Sequence, residues 1–443
     1  MPYRHELSRI SGLFIMNKYK MHSMFESRIT AVERFRRARE IYREDGIHTL
    51  SNKTKRYLAR NITDSLVEKY VMPDYHQYLI RSEDLKNQAT QVWDLNYNGG
   101  LTIQEQRDLI PFSNDRKLQF RNLPTYTFDD PFVAELQDAY LVGEIPLALT
   151  TEGKIISDTI YFNADCKVGK KRIQRRIKSA MNASPLQMGK TLKTDSVRYN
   201  PPKISIASLV YTSYNNFCLW MERELPKLRG IERYEEETGE NVKLIIPNSA
   251  PKYVYEALDI LGRDNYMEWD GESLSIERLI VPSYPQPYPA TLKWLRKNLQ
   301  PNDMQSPVNA DWIYISRQQS KGRKVVNFDE INQVLDEFGV EEVSLENMNL
   351  QEQISTFQQV DGIIGPHGAG LVGMIWTKNL CVIEIFNEMI NAPFYILAHI
   401  LDHDYEALLG KGIGDIRRNQ NIVLNKYELR SILKESVDNT SSK

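Results

Sequence analysis

Residues Val360–Leu371 read VDGIIGPHGAGL and predict a strand, a tight turn and a helix, in that order. The apolar run that ends in Ile363-Ile364 is typical of a buried strand in a parallel sheet. Gly365-Pro366 then ends the strand, and the proline suits the first turn of a helix. Gly368 and Gly370 leave the helix start without bulky side chains, so the atoms of another molecule can approach the backbone there.

The start of that predicted helix is suited to an anion. Free N–H groups at a helix start attract negative charge, and a diphosphate is a frequent occupant of such a site. Ala369 lies between the two glycines, and His367 adds a side-chain donor just before them. A glycine-rich turn can also serve tight packing alone. The imidazole favours the binding interpretation, because the packing of an apolar turn has no need for one.

The next predicted strand, Cys381–Phe386, carries one carboxylate near its C-terminal end, that of Glu384. In open α/β sheets, ligands bind beyond the C-terminal ends of the strands. We therefore expect Glu384 to accept hydrogen bonds from ribose hydroxyls.

A basic loop follows another predicted strand, Trp312–Ser316. Arg317 ends that strand, and Lys321-Gly322-Arg323 and Asn327 follow it. Arginine binds phosphate oxygens in a two-pronged geometry that lysine cannot match. Such a loop, taken alone, can be a solvated surface. Because two anion-binding elements converge on one sheet edge here, we favour a binding site.

The composition sets the class of protein. The chain has 443 residues, 26% of them charged and 41% hydrophobic, which indicates a soluble globular protein with about two domains. A net charge of −2 gives no electrostatic reason to expect nucleic acid as a partner. The 3 cysteines lie far apart, fit no metal or disulfide framework and are typical of reduced thiols. The apolar run Leu13–Met16 is too short for a signal peptide and no stretch reaches the length of a membrane span, so we expect a cytoplasmic protein.

The pattern along the chain predicts an extension and two α/β domains. Residues 1–125 are polar and predict helices in pieces, of which Ala31–Tyr42 is clearly amphipathic. Short β segments begin at residue 126, and strands then alternate with helices on both sides of the proline-rich connector Tyr284–Pro289. This alternation predicts two doubly wound domains, at 126–288 and 289–443, that face each other.

Several motifs occur together in the order and spacing of a known family. They are Ile315-Ser316-Arg317, Arg323, Asn327, Glu352-Gln353-Ile354, Gly365–Leu371 and Val382–Ile385, with Glu272–Ser283 upstream. The chain resembles the family 61 glycosyltransferases of plants, animals and microbes, over roughly Val133–Phe386. The resemblance implies a GT-B-like fold of two Rossmann-like domains, with the acceptor on the 126–288 side and a nucleotide sugar on the 289–443 side. It also implies an inverting reaction, a donor that is often UDP-linked, and a glycan or lipid-linked acceptor.

The donor site of the family looks intact in this chain. The residues that the resemblance places at the donor are Ser316, Arg317, Arg323, Asn327, Pro366, His367, Gly368, Ala369, Gly370 and Glu384. Arg317, Arg323 and His367, with the helix start, are expected to stabilise the leaving nucleoside diphosphate without a metal or another cofactor. Asp402-His403-Asp404 has the spacing of a metal motif but lies late in the second domain, so we interpret it as a surface turn.

The acceptor side departs from the family pattern. Asn216 and Trp220 match it and are the acceptor-side candidates, but Leu219 stands where the family has histidine and Arg223 where it has glutamate. Glu222 flanks that position and is our candidate for the catalytic base, although a helix-surface salt bridge is the commoner role for such a residue.

A further departure follows the His-Gly motif, where Gly373 replaces a frequent asparagine.

The leading hypothesis remains a cytoplasmic glycosyltransferase, and a lipid-linked acceptor would place it peripherally at the inner face of the membrane. Two alternatives stay open. One is a nucleotide-sugar epimerase or hydrolase, since facing α/β domains also serve those reactions. The other is a nucleotide-sugar-binding subunit that has lost catalysis.

Overall fold

The computed structural model describes residues 65, 67–95, 130–161, 166–183, 201–211, 215–271, 273–285, 288–301, 306–387 and 389–441, with four short strand segments between 102 and 127. The chain divides into two compact units, 1–73 and 74–443. The helix predicted at Ala31–Tyr42 lies outside the described residues. Both main sheets and the candidate site belong to the second unit.

The strands are numbered in chain order. They are β1 Leu79–Ile80, β2 Gln91–Asp94, β3 Thr102–Ile103, β4 Ile110–Pro111, β5 Lys117–Leu118, β6 Tyr126–Thr127, β7 Phe132–Val142, β8 Leu147–Leu149, β9 Ile155–Ile156, β10 Lys203–Leu209, β11 Lys243–Pro247, β12 Tyr266–Trp269, β13 Ser273–Pro282, β14 Trp312–Ile315, β15 Val340–Val343, β16 Gly362–Pro366, β17 Cys381–Phe386, β18 Asp404–Leu409, β19 Lys411–Ile413 and β20 Asn421–Val423.

The α-helices are numbered in the same way. They are α1 Ser82–Gln88, α2 Lys167–Ala183, α3 Phe217–Leu219, α4 Lys227–Thr238, α5 Lys252–Ile260, α6 Pro289–Asn298, α7 Phe328–Glu337, α8 Leu350–Gln359, α9 Pro393–Ile400 and α10 Lys426–Ser441. Helix α3 continues into a π-helical turn, Trp220–Glu224, and a second π-helix spans Val67–Val71. The 3-10 helices are Met72–Tyr78, Ser157–Thr159, Leu345–Asn347, Ala369–Trp376 and Arg417–Asn419. Among the described helices, none is both long and apolar enough to cross a bilayer.

The first sheet is mixed and only partly matches the predicted doubly wound domain. In the described residues it has 9 strands in the order β1-β9-β8-β7-β13-β10-β11-β12, with β2 also paired to β7. Strands β10 to β13 are parallel, as the α/β alternation predicted. Strand β7 pairs antiparallel with β13 over its whole length, from Val142 opposite Ser273 to Val133 opposite Pro282. The pairing of β7 with β8 is antiparallel because a tight turn joins them, and a short turn reverses the chain whereas parallel strands need a crossover.

That turn needs a glycine at its first position. Gly143 has a φ of +93°, and a Cβ there would lie 2.7 Å from the backbone of Ala180 in helix α2. Strands β1 and β2, at residues 79–94, also join this sheet. The sheet therefore begins within the stretch that we expected to be a helical extension ending at residue 125.

The second sheet has five parallel strands in the order β15-β14-β16-β17-β18, as the clean alternation after residue 289 predicted. Its residues alternate between two buried faces. Ile363 joins a core that continues into the helices of the first sheet, including Trp220 and Leu228, whereas Ile364 packs with helices α7 and α10 on the other face. Helix α8 starts at a capping box formed by Asn349 and Glu352.

One local prediction was wrong. Gly365 and Pro366 do not end strand β16 but belong to it, and the helix that follows is a 3-10 helix that begins only at Ala369. The N–H of His367 donates to the carbonyl of Ile385 on β17, so the amide position of Pro366 faces the opposite neighbour, β14. Pairing with β14 has already ended at Ile364, so the missing N–H of proline breaks no hydrogen bond of the sheet.

Candidate active site

A cleft of about 380 Å³ lies at the C-terminal ends of β14, β15 and β16, where an open α/β sheet binds its ligands. Two larger surface cavities, of about 550 and 650 Å³, lie away from these strand ends. Helices α3 and α5 of the first sheet form the opposite wall. The lining residues are Phe217, Lys252, Tyr253, Glu256, Ile315, Ser316, Arg317, Leu345, Glu346, Met348, Gln353, Pro366, Gly368, Ala369, Gly370 and Leu371. Six predicted donor residues thus share one cleft: Ser316, Arg317, Pro366, Gly368, Ala369 and Gly370.

Arg317 is the cation that the second sheet contributes to the cleft. Its guanidinium lies against Gly368, where an added Cβ would come within 2.5 Å of Nη1. The backbone φ of Gly368 is 179°, which any residue adopts, so the close approach of Arg317 rather than backbone strain explains the glycine. Burial lowers the pKa of Arg317, while the nearby Glu346 carboxylate raises it.

Arg323 lies behind this wall. It adopts a left-handed φ of 60°, and its Nη1 donates to the backbone carbonyl of His367. Burial, with the charges of Arg317 and Arg418, lowers the pKa of Arg323 to about 10, so it remains a cation at neutral pH. The two loop arginines are therefore near enough to repel each other, which an anion between them would relieve.

The start of the 3-10 helix leaves backbone donors open. Among the described residues, nothing accepts a hydrogen bond from the N–H groups of Gly368, Ala369 or Gly370. All three residues line the cleft beside the Arg317 guanidinium. An anion in the cleft can therefore be met by charged and neutral donors together.

Glu384 does not play the part that we expected. It is completely buried, and its Oε1 lies 2.5 Å from Nδ1 of His367. Its other oxygen accepts a hydrogen bond of 2.5 Å from the Tyr405 hydroxyl. With both oxygens engaged, Glu384 cannot bind ribose directly. It instead fixes the imidazole, since a carboxylate at Nδ1 selects the tautomer with its hydrogen there.

Aromatic packing holds the same imidazole from two sides. The His367 ring stacks on Phe386 with centroids 5.6 Å apart and meets the edge of Phe394 at 5.3 Å. Within the described chain, no group hydrogen-bonds to its Nε2. Burial and then Glu384 raise the pKa of Tyr405 well above its usual value, so its hydroxyl stays a donor. The result is a fixed histidine with one nitrogen available.

Three predicted substrate contacts have structural roles instead. The Asn327 amide clamps the backbone of Leu424, donating to its carbonyl at 2.9 Å and accepting from its N–H at 3.1 Å. The Asn216 side chain caps helix α3 by accepting from the N–H of Leu219 at 2.9 Å. Trp220 is fully buried in the core and does not line the cleft.

Glu222 lies close to the cleft without lining it. It is 6% exposed, its Oε2 lies 3.9 Å from Nε of Arg223, and burial raises its pKa. Its carboxylate also bonds the Cys218 thiol, whose pKa is raised by burial, by Glu222 and by Glu384. Glu222 is thus held between Arg223 and Cys218 on its own helix.

Several cleft residues escaped the sequence reasoning. Tyr253 packs edge-on against Phe217 with ring centroids 5.1 Å apart, and burial raises its pKa to about 12. Glu256 spans the two walls, with Oε1 2.7 Å from Lys252 Nζ and Oε2 accepting from the N–H of Leu350 at 3.0 Å. Neither belongs to a recognisable motif, and their helix carried only an ordinary amphipathic pattern.

Two further expectations concern residues outside the cleft. A Cβ on Gly373 would lie 2.3 Å from the Phe357 ring, so core packing explains the glycine that replaces asparagine. His403 was wrongly interpreted as part of a surface turn. It is buried, accepts from the N–H of Leu380 at Nδ1 and meets the carbonyl of Met374 at Nε2. Over the described residues, no group of three or more His, Cys, Asp and Glu side chains could hold a metal.

Comparison with known proteins gives the chain its family. The model of the glycosyltransferase 61 family matches residues 160–383, about half of the chain. The match begins just after β9 and ends within β17. The chain is also 36% identical, over 78 residues, to the EGF domain-specific O-linked N-acetylglucosamine transferase of Drosophila melanogaster. That match spans 17% of this chain and 15% of the relative. The chain belongs to the glycosyltransferase 61 family.

Proposed function

We propose that this enzyme moves a sugar from a nucleoside diphosphate donor, of which UDP is the favoured nucleotide, to a hydroxyl of a glycan or lipid-linked acceptor. The observation that carries the proposal is the convergence of the Arg317 guanidinium with the open N–H groups of Gly368, Ala369 and Gly370 at the strand ends. Charged and backbone donors in one concave site suit a diphosphate better than any neutral group.

The two walls suggest a division of labour of the GT-B type. The second-sheet wall supplies the cationic and backbone donors, and the first-sheet wall supplies Phe217, Tyr253 and Glu256. We assign the donor to the former and the acceptor to the latter. Aromatic rings offer apolar faces to sugar rings, which is consistent with that assignment.

The leaving group would be stabilised by the donors of the second-sheet wall. As the bond from the anomeric carbon to the β-phosphate oxygen breaks, negative charge grows on the diphosphate. Arg317 and the helix start meet that charge directly, and Arg323 adds positive potential from behind. His367, held by Glu384, can donate from Nε2 when it is protonated. These residues do not require a metal for this step.

An inverting transfer also needs a base that takes the proton of the acceptor hydroxyl while the new bond forms on the opposite face of the sugar. Glu222 remains our candidate, because burial raises its pKa and its helix begins at Phe217, which lines the cleft. Glu256 is the carboxylate of the first-sheet wall that lines the cleft. Both of its oxygens bond protein groups, which suits a bridge better than a base.

A thermal-unfolding screen of nucleotides and nucleotide sugars tests the proposal without knowledge of the acceptor. A ligand at one hundred times its dissociation constant stabilises the folded protein by about 2.7 kcal/mol. We expect UDP or another nucleoside diphosphate to raise the melting temperature, with EDTA leaving the effect intact. If no nucleotide shifts the transition, the cleft is not a donor site.

The alternatives separate from transfer by what happens to the donor. An epimerase or hydrolase would consume a nucleotide sugar when no acceptor is present. A binding subunit, suggested by Leu219 and Arg223 in the acceptor-side helix, would bind the donor without turnover on any acceptor. Chromatography of donor incubated with the enzyme, with and without a mixture of glycan acceptors, distinguishes these outcomes.

A further inference from the structure

A second concave surface, which we call the basic groove, lies between helix α6 and the residues that follow the 3-10 helix Ala369–Trp376. Its volume is about 650 Å³. Lys293, Arg296 and Lys297 line it from α6, and Lys378 lines it from the other side. No carboxylate belongs to its described lining, which is completed by amide, hydroxyl and indole side chains.

The cations of the groove lack counter-charges. In the described part of the chain, none of the four forms an ion pair with a carboxylate. Lys293 and Lys297 are one helical turn apart, and like charges at that spacing destabilise a helix by a few tenths of a kcal/mol. A bound anion would remove this repulsion.

Arg296 adds a second, independent observation. Its Nε donates to the carbonyl of Ile375 at 2.8 Å, which holds the guanidinium against the 3-10 helix Ala369–Trp376. Its Nη2 is buried and, among the described residues, has no hydrogen-bond partner. A buried donor without an acceptor costs free energy unless something else supplies the oxygen.

Another residue of the lining, Gln358, carries a buried acceptor. Oε1 of Gln358 is buried without a partner in the described structure, while its Nε2 donates to Oε1 of Gln300 at 3.2 Å. The groove therefore offers an unfilled donor beside neutral polar groups, as a phosphate ester that also carries hydroxyls would require.

We propose that the basic groove is an anion site for a phosphate or diphosphate group, separate from the donor cleft. A pair of aromatic rings joins the two sites: Trp376 lines the groove, and its ring centroid lies 6.1 Å from that of Phe217, which lines the cleft. The phosphate can belong to a soluble ester or to a lipid headgroup. A concave groove with a buried guanidinium nitrogen favours the soluble ester, since that nitrogen must be reached by a single oxygen.

Calorimetric titration of inorganic pyrophosphate into the full chain tests the proposal. The Arg317→Ala variant weakens the donor cleft, so binding that survives in it reports on the groove. Adding Lys293→Glu and Lys297→Glu to that variant should weaken the remaining binding by about tenfold or more, because two attractive charges become repulsive. Both lysines are exposed, so the fold should tolerate the change. A matched control reverses two exposed lysines elsewhere, Lys171 and Lys434, and should leave pyrophosphate affinity unchanged.

Vesicles identify the source of the phosphate. Sedimentation with phosphatidic acid vesicles, but not with phosphatidylcholine vesicles, that is lost in the Lys293→Glu, Lys297→Glu variant would assign the group to a lipid headgroup. Pyrophosphate binding without vesicle binding would support the soluble ester. If the Arg317→Ala protein binds neither pyrophosphate nor anionic vesicles, or if charge reversal changes nothing, the groove is not an anion site. UDP binding to wild type and to the charge-reversal variant tests the donor cleft separately.

Discussion

The two walls of the cleft differ in what their polar side chains are free to do. On the second-sheet wall, Arg317 and the N–H groups after His367 are held in place yet remain open toward the cleft. On the first-sheet side, the two residues that matched the family pattern are used by the fold: Asn216 caps its own helix, and Trp220 is buried in the core. A motif at the ends of parallel strands is available to a ligand, whereas a motif along a packed helix is readily consumed by folding.

The largest expected effect breaks the second-sheet wall. In Gly368→Val the new side chain would displace the Arg317 guanidinium, whose Nη1 lies 2.5 Å from the Cβ position, and would also fill the space for phosphate. We expect nucleoside diphosphate affinity to fall by more than about 3 kcal/mol, the upper value for a charge-assisted hydrogen bond. Because the contacted atom is the end of a flexible side chain, the protein should still fold. Calorimetry, with circular dichroism as the control for folding, measures both; full affinity in the variant would place the phosphate elsewhere.

The next prediction concerns the residue after the His-Gly motif. Gly373→Asn restores the side chain that is frequent in the family, but its Cβ would lie 2.3 Å from the Phe357 ring. Overpacking of this kind costs about 1–3 kcal/mol, so the free energy of unfolding should fall while UDP affinity per folded molecule stays unchanged. Urea denaturation and a titration of the same preparation measure the two quantities. Increased affinity or transfer would show that the glycine marks a weakened site rather than a packing requirement.

A smaller effect should follow from loosening His367. Glu384→Gln keeps the shape of the side chain but replaces the acceptor at Nδ1, which lies 2.5 Å from Oε1. We expect nucleoside diphosphate affinity to fall by about 0.5–1.5 kcal/mol, the range for one ordinary hydrogen bond, with a larger loss in transfer rate. Tyr405→Phe removes only the hydroxyl that bonds the far oxygen of Glu384 and is the milder control. If both variants transfer sugar at the wild-type rate, His367 does not act on the leaving group.

The smallest expected effect concerns the first-sheet wall and its dependence on pH. Burial raises the pKa of Glu222 above its value in the unfolded chain. As the pH rises past about 4.3, the Glu222 carboxyl ionises in the unfolded chain while it is still protonated in the folded protein. The free energy of unfolding therefore falls with rising pH until the pH has passed the pKa of Glu222 in the folded protein. The stability of Glu222→Gln relative to wild type should therefore increase between about pH 4 and pH 7.

Glu337 supplies a control of opposite sign. A hydrogen bond from Arg430 lowers its pKa, so its contribution is present above the unfolded pKa and disappears as the pH falls. Glu337→Gln should lose stability relative to wild type over the same rise in pH. Urea denaturation at several pH values gives both slopes, and equal slopes in the two variants would contradict the assigned burial of Glu222.

Sequence reasoning succeeded where structure depends on neighbours along the chain. The strands and helices of the second sheet follow from local periodicity, and the cleft follows from where those strands end. It failed where contacts are distant in sequence. The antiparallel pairing of β7 with β13 joins segments more than one hundred residues apart, and nothing local to Phe132–Val142 announces it. Tyr405 meets Glu384 only because β18 lies beside β17.

The failures at the site share a cause. Glu384 lies near the end of strand β17 as predicted, but the sequence does not show that the protein itself already satisfies the polar groups of Glu384 and Asn327. Glu256 was missed because its helix belongs to the first sheet, and it lines the cleft only through the packing of that helix against the second sheet. The sequence predicted Arg323 as a cation of the donor site. It could not predict that Arg323 lies behind the wall, because that position depends on a hydrogen bond to the carbonyl of His367.

The most direct measurement is a calorimetric titration of UDP into two single variants of the same loop, Arg317→Ala and Lys321→Ala. Both remove one positive charge, but only Arg317 lines the cleft, and Lys321 is exposed. We predict that Arg317→Ala weakens UDP binding by about 1.5–3 kcal/mol without changing the thermal stability of the free protein, while Lys321→Ala leaves the affinity unchanged. Equal affinity in wild type and in folded Arg317→Ala would contradict the account and return the His-Gly turn to a role in packing alone.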